Sequence, residues 1–244
     1  MALKIVTWNV RGLSTPHKQE TVARAARKMQ CDILCLQETN IDSLRKAREL
    51  EKRFSARGFF SFPTHQSCGT AIIVFNWALL NGSHFSFDSD GRMVSFDFEF
   101  ETEQFRILSI YAPTKSQAMA GFYRQLSPLL LERKHLILVG DFNCVLNNLA
   151  DRTGPARERK DPYSSELRKI VDQFNLIDAY VMHHGESFQS TWARNDTQAR
   201  LDRVYVSPSI KSSVLDCQAF DPSPSALGIS DHRPVLVSFQ LRSR

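Results

Sequence analysis

Carboxylates, carboxamides and a histidine stand at the ends of apolar runs in this chain. Asn9 follows Trp8 at the end of the first run, and Glu38 ends the second in Leu36-Gln37-Glu38-Thr39. Asp141 and Asn143 lie in Gly140-Asp141-Phe142-Asn143, Asp202 in Arg200-Leu201-Asp202-Arg203, and Asp231 and His232 in Ser230-Asp231-His232-Arg233-Pro234. These residue types suit metal-assisted cleavage of a phosphodiester. A hard cation such as Mg²⁺, or Mn²⁺ in its place, takes oxygen ligands, with water or phosphate completing its shell. Glu38 is the expected principal ligand, and Asn9 and Asp231 are the supporting oxygens. Such a cation polarises the scissile phosphate and stabilises the leaving oxygen. Asp141, held by Asn143, is the expected base that activates water. His232, partnered by Asp202, is placed to hydrogen-bond the phosphate as charge develops, with Tyr111 as a second donor.

Taken singly, each of these has a plainer reading. A lone glutamate at a strand end is usually solvated, and Gly-Asp-Phe-Asn is also turn chemistry. Asp231 is equally a turn cap. His17, His65, His84, His135, His183 and His184 have no comparable setting and read as surface or core residues. Trp8 and Trp192 read as packing, and the basic run Arg157–Lys160 as a solvated loop. The chemistry rests on the whole set in its order along the chain.

The elements that must carry these groups follow from periodicity. Leu3–Val10, Ile33–Gln37, Thr70–Phe75, Phe105–Tyr111, Leu136–Val139, Leu201–Val206 and Pro234–Leu241 read as strands. Met93–Phe100 alternates, with Val94, Phe96, Phe98 and Phe100 on one face, and predicts a half-buried strand paired in a hairpin with Phe105–Tyr111. Helices are expected over Pro16–Met29, after a Ser43 cap along Leu44, Ala47, Leu50 and Phe54, over Ala118–Glu132 and over Ser165–Phe174. Asp151–Tyr163 reads as a surface loop. Strands and helices mixed along one unbroken length suggest two sheets packed face to face with helices outside, forming a single domain over 1–244.

Composition bounds the rest. Apolar residues make up 42% and charged residues 23% of the 244, which is enough for a sizeable core. The net charge of +5 favours a polyanionic partner, nucleic acid first and an anionic membrane surface second. Cys31, Cys35, Cys68, Cys144 and Cys217 form no CxxC pair, so buried free thiols are expected rather than zinc or disulfides. The start of the chain shows no signal-peptide pattern and no stretch suits a bilayer, so no membrane role and a cytosolic or nuclear setting are expected.

In their order, Trp8-Asn9-Val10, Leu36-Gln37-Glu38-Thr39, Ile110-Tyr111-Ala112-Pro113, Gly140-Asp141-Phe142-Asn143, Thr191-Trp192, Arg200-Leu201-Asp202 and Ser230-Asp231-His232-Arg233-Pro234 resemble the endonuclease/exonuclease/phosphatase superfamily. Asn9-Val10-Arg11-Gly12-Leu13, Asp151-Arg152 after Asp141-Phe142-Asn143, and the Thr-Trp to Arg-Leu-Asp segment are similar to the apurinic-endonuclease-like domain of non-LTR (LINE-type) retrotransposons, of the L1 or Tx1 sort. The resemblance implies a four-layer α/β sandwich of two mixed sheets flanked by helices, as in DNase I. It implies the same roles for Asn9, Glu38, Tyr111, Asp141, Asn143, Asp202, Asp231 and His232. It also implies a nuclear endonuclease, monomeric as an isolated domain, that nicks one DNA strand. The resulting 3′-hydroxyl primes a reverse transcriptase encoded in the same polyprotein. Two positions depart from cellular apurinic endonucleases, which carry an acidic residue where Arg11 stands and an asparagine where Thr114 stands.

Between Thr191-Trp192 and Arg200-Leu201-Asp202, Asn195-Asp196 forms a turn tip, so a protruding hairpin is expected beside the site. Arg194, Asn195 and Gln198 suit minor-groove contacts. With Thr191, Arg11 and Thr114 they make up the expected DNA-contacting set. An apurinic-site repair endonuclease, a superfamily phosphatase or phospholipase, and a non-catalytic DNA-targeting module stand as the alternative functions.

Overall fold

A computed structural model describes residues 2–63, 68–114, 116–131, 133–155, 157, 164–221 and 228–240. His65, Glu132, Leu241, residues 158–160 of the basic run and most of the expected 151–163 loop lie outside the described residues.

The chain runs β1 (Ala2–Asn9), α1 (Pro16–Met29), β2 (Ile33–Gln37), α2 (Leu44–Phe54), β3 (Arg57–Ser61), β4 (Thr70–Val74), β5 (His84–Phe87), β6 (Met93–Phe100), β7 (Glu103–Tyr111), α3 (Ser116–Leu130) and β8 (His135–Asp141). It continues through α4 (Asn148–Asp151), β9 (Arg152–Thr153), α5 (Ser164–Gln173), β10 (Ile177–Asp178), α6 (Ala179–His184), β11 (Trp192–Arg194), β12 (Thr197–Ala199), β13 (Asp202–Val206), β14 (Val214–Ala219) and β15 (Val235–Gln240). Local chemistry explains the helix starts. Thr15 and Ser43 each accept a hydrogen bond from a first-turn N–H, and Pro16 sits where its missing N–H costs nothing. The β6–β7 hairpin turns on Glu101 and Thr102, both at positive φ, as a two-residue hairpin loop requires.

Among the described residues, one six-stranded sheet has the order β14-β15-β1-β2-β4-β3, and a second has the order β10-β13-β8-β7-β6-β5. Each centres on a parallel pair joined by a crossover helix, β1-α1-β2 in the first and β7-α3-β8 in the second. Apolar residues from both inner faces, among them Ile5, Ile72, Phe96, Phe98, Ile107, Val139 and Val237, pack into one core. Trp8, Val22, Leu34, Leu50 and Phe54 form a second core under α1 and α2. Leu108, Tyr123, Leu126, Phe142 and Leu167 form a third under α3 and α5. The expected four-layer sandwich is therefore present, and each fully buried Leu or Phe contributes about 1.5–3 kcal/mol toward it.

Two expectations need correction. β6 is not half-buried, because α3 covers its outer face near Met93, and Asp97 on that face is shielded by Arg106 and Lys134. The segment beginning at Asp151 is not simply a surface loop. Asp151 is buried and pairs with Arg200 and Arg203, while Arg200 and Arg203 also reach Asp178. This ion-pair quartet ties α4, β10 and β13 together beneath a small third sheet, β11-β12-β9.

Candidate active site

In a parallel pair both carboxyl ends leave the sheet at the same edge. Asn9 pairs in register with Gln37, which places Glu38 just beyond, and Tyr111 pairs with Asp141. Asp202 lies across from Asp141 at the start of antiparallel β13. Gly140 makes the Tyr111–Asp141 edge possible: its φ is +139°, and a Cβ there would collide with the Ile110 carbonyl. The two sheets meet at Asn9. Its Nδ2 donates to Glu38 Oε1 and to Asp141 Oδ2, each at 2.9 Å, and its Oδ1 accepts from the Arg11 N–H at 3.1 Å. One carboxamide thus holds a carboxylate from each sheet. Glu38 itself has φ +52°, an uncommon backbone for its type, fixed by the Gly12 N–H on its carbonyl at 2.6 Å.

Asp141 is buried; its Oδ1 accepts from the Asn143 N–H at 2.9 Å, while the Asn143 side chain donates to the Ala112 carbonyl at 2.8 Å. Burial raises the Asp141 pKa, with Asp202 adding to the rise, while His232 opposes it. His232 Nδ1 lies 2.8 Å from Asp202 Oδ2, and its Nε2 is 3.9 Å from Asp141 Oδ2. Burial disfavours the charged ring, but Asp202 and Asp141 outweigh it and lift the His232 pKa to about 9. The ring is therefore cationic at neutral pH. The Tyr111 hydroxyl is driven the same way by burial and by Glu38 and Asp141 beside it, so it remains a donor.

The other flank is made of oxygen donors. Asp231 Oδ2 accepts from Arg11 Nη1 at 3.0 Å and from Trp192 Nε1 at 3.1 Å, whereas its Oδ1 is buried without a protein hydrogen-bond partner. That oxygen lies 4.0 Å from His232 Nε2, beyond hydrogen-bond distance, and so keeps an open valence for a cation. Asp231 and Glu38 both offer only oxygen atoms, the donor type that a hard divalent cation prefers. Asp141, Asp202 and His232 also bring one ligand atom each within 4.8 Å of one another. The His232–Asp202 hydrogen bond uses Nδ1 and Oδ2, and Asp202 Oδ1 has no hydrogen-bond partner, so this trio is a second candidate for a cation beside its proton and phosphate chemistry.

The structure brings Asn9, Glu38, Tyr111, Asp141, Asn143, Asp202, Asp231 and His232 to one end of the sandwich. The expected DNA contacts divide. Arg11, Thr114, Arg194, Asn195 and Gln198 are exposed, and Asn195 turns the hairpin tip at φ +50°. Thr191 is a correction: it is 2% exposed, and its hydroxyl accepts from the Leu201 and Asp202 N–H groups at 3.0 Å each. It anchors Asp202 and does not face solvent. Trp8 and Trp192 do more than pack. The Trp8 indole donates to the His232 carbonyl at 3.0 Å, and Trp192 reaches Asp231 as described. Ser230 completes the frame by donating to the Asn9 carbonyl at 2.7 Å and accepting the His232 N–H at 3.1 Å. Adjacency of Ser230 to Asp231-His232 was the available sequence signal; the indole bonds span distances that no periodicity encodes.

Comparison with known proteins bears on the family and the fold. The chain is 28% identical over 223 residues to the 149 kDa protein of transposon TX1 from Xenopus laevis, covering 87% of this chain but only 16% of that protein. It is 24% identical over 260 residues to an exodeoxyribonuclease of Bacillus subtilis strain 168, covering 96% and 98% of the two chains. An apurinic (AP) endonuclease from Leishmania major superposes with a TM-score of 0.77 at 18% identity, covering 99% of this chain and 88% of that one. An AP endonuclease from Archaeoglobus fulgidus does so at 0.80 and 20%, covering 98% and 100%. These structural likenesses support the DNase I-like fold. The profile of the Endonuclease/Exonuclease/phosphatase family matches residues 6–232, from inside β1 to His232 itself, and the chain belongs to that family.

Proposed function

We propose that the chain is a divalent-metal-dependent endonuclease that nicks one strand of double-stranded DNA and leaves a 3′-hydroxyl. The observation that carries this reading is the pairing of two carboxylates across Asn9, Glu38 on one side and Asp141 with the His232–Asp202 pair on the other, with Asp231 beside the same His232 ring. Glu38 and Asp231 would hold Mg²⁺, or Mn²⁺ in its place, and the cation would supply charge neutralisation at the scissile phosphate and leaving oxygen. Asp141, raised by burial, accepts the proton of an attacking water, and the Asn143 N–H fixes its orientation. His232, cationic and braced by Asp202, donates to a phosphate oxygen as negative charge builds, and protonated Tyr111 donates beside it. Water attacks phosphorus, the P–O3′ bond breaks, and the products are a 5′-phosphate and a 3′-hydroxyl.

Similarity to the TX1 transposon protein favours a role in retrotransposition, in which that 3′-hydroxyl primes a reverse transcriptase carried elsewhere in the same polyprotein. The chain spans about 16% of that relative's length. Such a domain acts on chromosomal DNA in the nucleus. The net charge of +5 fits a DNA partner, and among the described residues no helix is long and apolar enough to cross a membrane. The test is a nicking assay on supercoiled plasmid with Mg²⁺ and with EDTA, run beside an abasic duplex and an inositol-phosphate substrate. Metal-dependent nicking of the intact plasmid, with ends that a polymerase extends, supports the proposal. Cleavage confined to the abasic duplex makes it a repair enzyme, and phosphate release without nicking makes it a phosphatase.

A further inference from the structure

The hairpin beside the site does not merely rise near it. The segment that carries Asp231 and His232 is hydrogen-bonded to the hairpin root as a short antiparallel ladder. Trp192 bridges His232, the Ala193 N–H donates to the Asp231 carbonyl at 3.0 Å, and the Arg233 N–H donates to the Thr191 carbonyl at 2.7 Å. The same root is bound on its other side, where the Thr191 N–H donates to the Ala199 carbonyl at 3.0 Å and the Thr191 hydroxyl holds the Asp202 N–H. Asp202 and Asp231 therefore both hang from residues 191–193. One side chain adds to this backbone ladder. The Trp192 indole N–H is 3.1 Å from Asp231 Oδ2, the oxygen that Arg11 also holds, and Oδ1, with no hydrogen-bond donor, lies 4.0 Å from His232 Nε2. A carboxylate gripped at one oxygen by two donors from different loops presents its second oxygen in one direction only. An indole can donate one bond and accept none, so its preference is for a charged oxygen at that position.

We infer that Trp192 is a positioning residue: through its Nε1–H it fixes the Asp231 carboxylate, and so couples the hairpin to the reacting centre. This rests on the endonuclease reading for the role of Asp231. The coupling predicts that anything displacing the hairpin root also turns Asp231.

Trp192→Phe keeps the ring packing and removes the donor. The expected result is a fall in kcat of roughly tenfold, the scale of a hydrogen bond to a charged group, with KM for plasmid DNA little changed. In an Asp231→Ala background the same substitution should change kcat by less than about twofold, because residues acting through one another are non-additive. The chain has three tryptophans, so the indole N–H resonances in a ¹⁵N spectrum are few, and the Trp192 resonance should move in Asp231→Ala independently of any activity. A tenfold loss that persists in the Asp231→Ala background overturns the inference, as does a loss confined to KM, which would make the indole a DNA contact. An unmoved indole resonance also overturns it. A wild-type chain that nicks no DNA overturns the proposed function instead, and the indole resonance then decides by itself whether Trp192 holds Asp231.

Discussion

Asn9, Asp141 and Asp202 are almost wholly buried at strand ends and His232 just ahead of β15, whereas Arg194, Asn195 and Gln198 are exposed on a hairpin whose strands are three residues each. Every polar group of the buried floor has its orientation dictated by another: Asn9 by two carboxylates, His232 by Asp202, Asp141 by the Asn143 N–H. The hairpin side chains are held by little beyond their backbone turn. The contrast fits the two proposed tasks, breaking a bond and reading a groove. Bond-breaking needs groups fixed to within a fraction of an ångström, which buried strand ends supply. Reading a groove needs reach, which an exposed turn supplies at small cost in stability. The hairpin is nonetheless well rooted. Gly154 lies so close to the Asp196 carbonyl that any Cβ would collide with it, and the Asp151–Arg200–Arg203–Asp178 quartet underlies its base.

The contrast can be broken in four places. Glu38→Ala removes the carboxylate proposed as the principal metal ligand while leaving the cores intact, and nicking should fall to background at equal Mg²⁺. Wild-type rates in that variant would move the metal elsewhere. Next in size, Asp141→Ala and His232→Ala should each slow nicking by roughly a hundredfold or more. DNA affinity should change far less, since basic contacts to phosphates dominate binding. A filter-binding or polarisation measurement showing the loss chiefly in affinity would return these residues to the binding surface.

Asp151→Asn tests the root. Breaking a buried ion pair from one side costs about 3–5 kcal/mol, and for a domain of this size that lowers Tm by roughly 10 °C. The pH dependence has a definite sign. Burial raises the Asp151 pKa, but Arg203 and Arg200 outweigh it, so the folded value lies below the ordinary carboxylate value. Its contribution to stability is full above the unfolded pKa of about 3.9 and is lost as pH falls through the folded value. Wild-type Tm should therefore drop on acidification below about pH 4, and Asp151→Asn should flatten part of that drop. A parallel acid profile in both chains would remove the quartet from the explanation. The smallest effect on rate is expected for the hairpin: replacing Arg194–Gln198 by a short Gly-Ser turn should shift nick positions on a plasmid while metal-dependent cleavage continues. An unchanged nick map with only a slower rate would place target choice elsewhere.

Much of this arrangement was readable from sequence because it follows from short-range rules. α1, β2 and β6 run over the residues that periodicity and capping indicated, since apolar spacing and Thr15, Pro16 and Ser43 act locally. The site residues were legible as a set because strand ends in register deliver them to one edge. What escaped depends on neighbours distant in sequence. β5, His84–Phe87, is exposed along its length and owes its existence to pairing with β6, and β9 is two residues that exist only against β12. Thr191 looked like a surface hydroxyl because nothing local reveals that two backbone N–H groups converge on it. The Asp151 pairing spans about fifty residues, and the Trp8 bond to His232 spans nearly the whole chain.

The thiols give the layers a use of their own. Cys31 lies in the core beneath α1 and α2, Cys35 and Cys217 lie between the sheets, and Cys144 lies in the core beneath α3 and α5. Burial pushes the Cys31 thiol up to about 12 and raises those of Cys35 and Cys217 as well. The thiolate is the nucleophile that attacks an alkylating reagent, so these sulfurs are silent while their layer is closed. Each layer thus carries a natural chemical clock. Pulsed alkylation followed by peptide mass mapping reads, without any engineered label, whether the outer helical layers open before the sheets part.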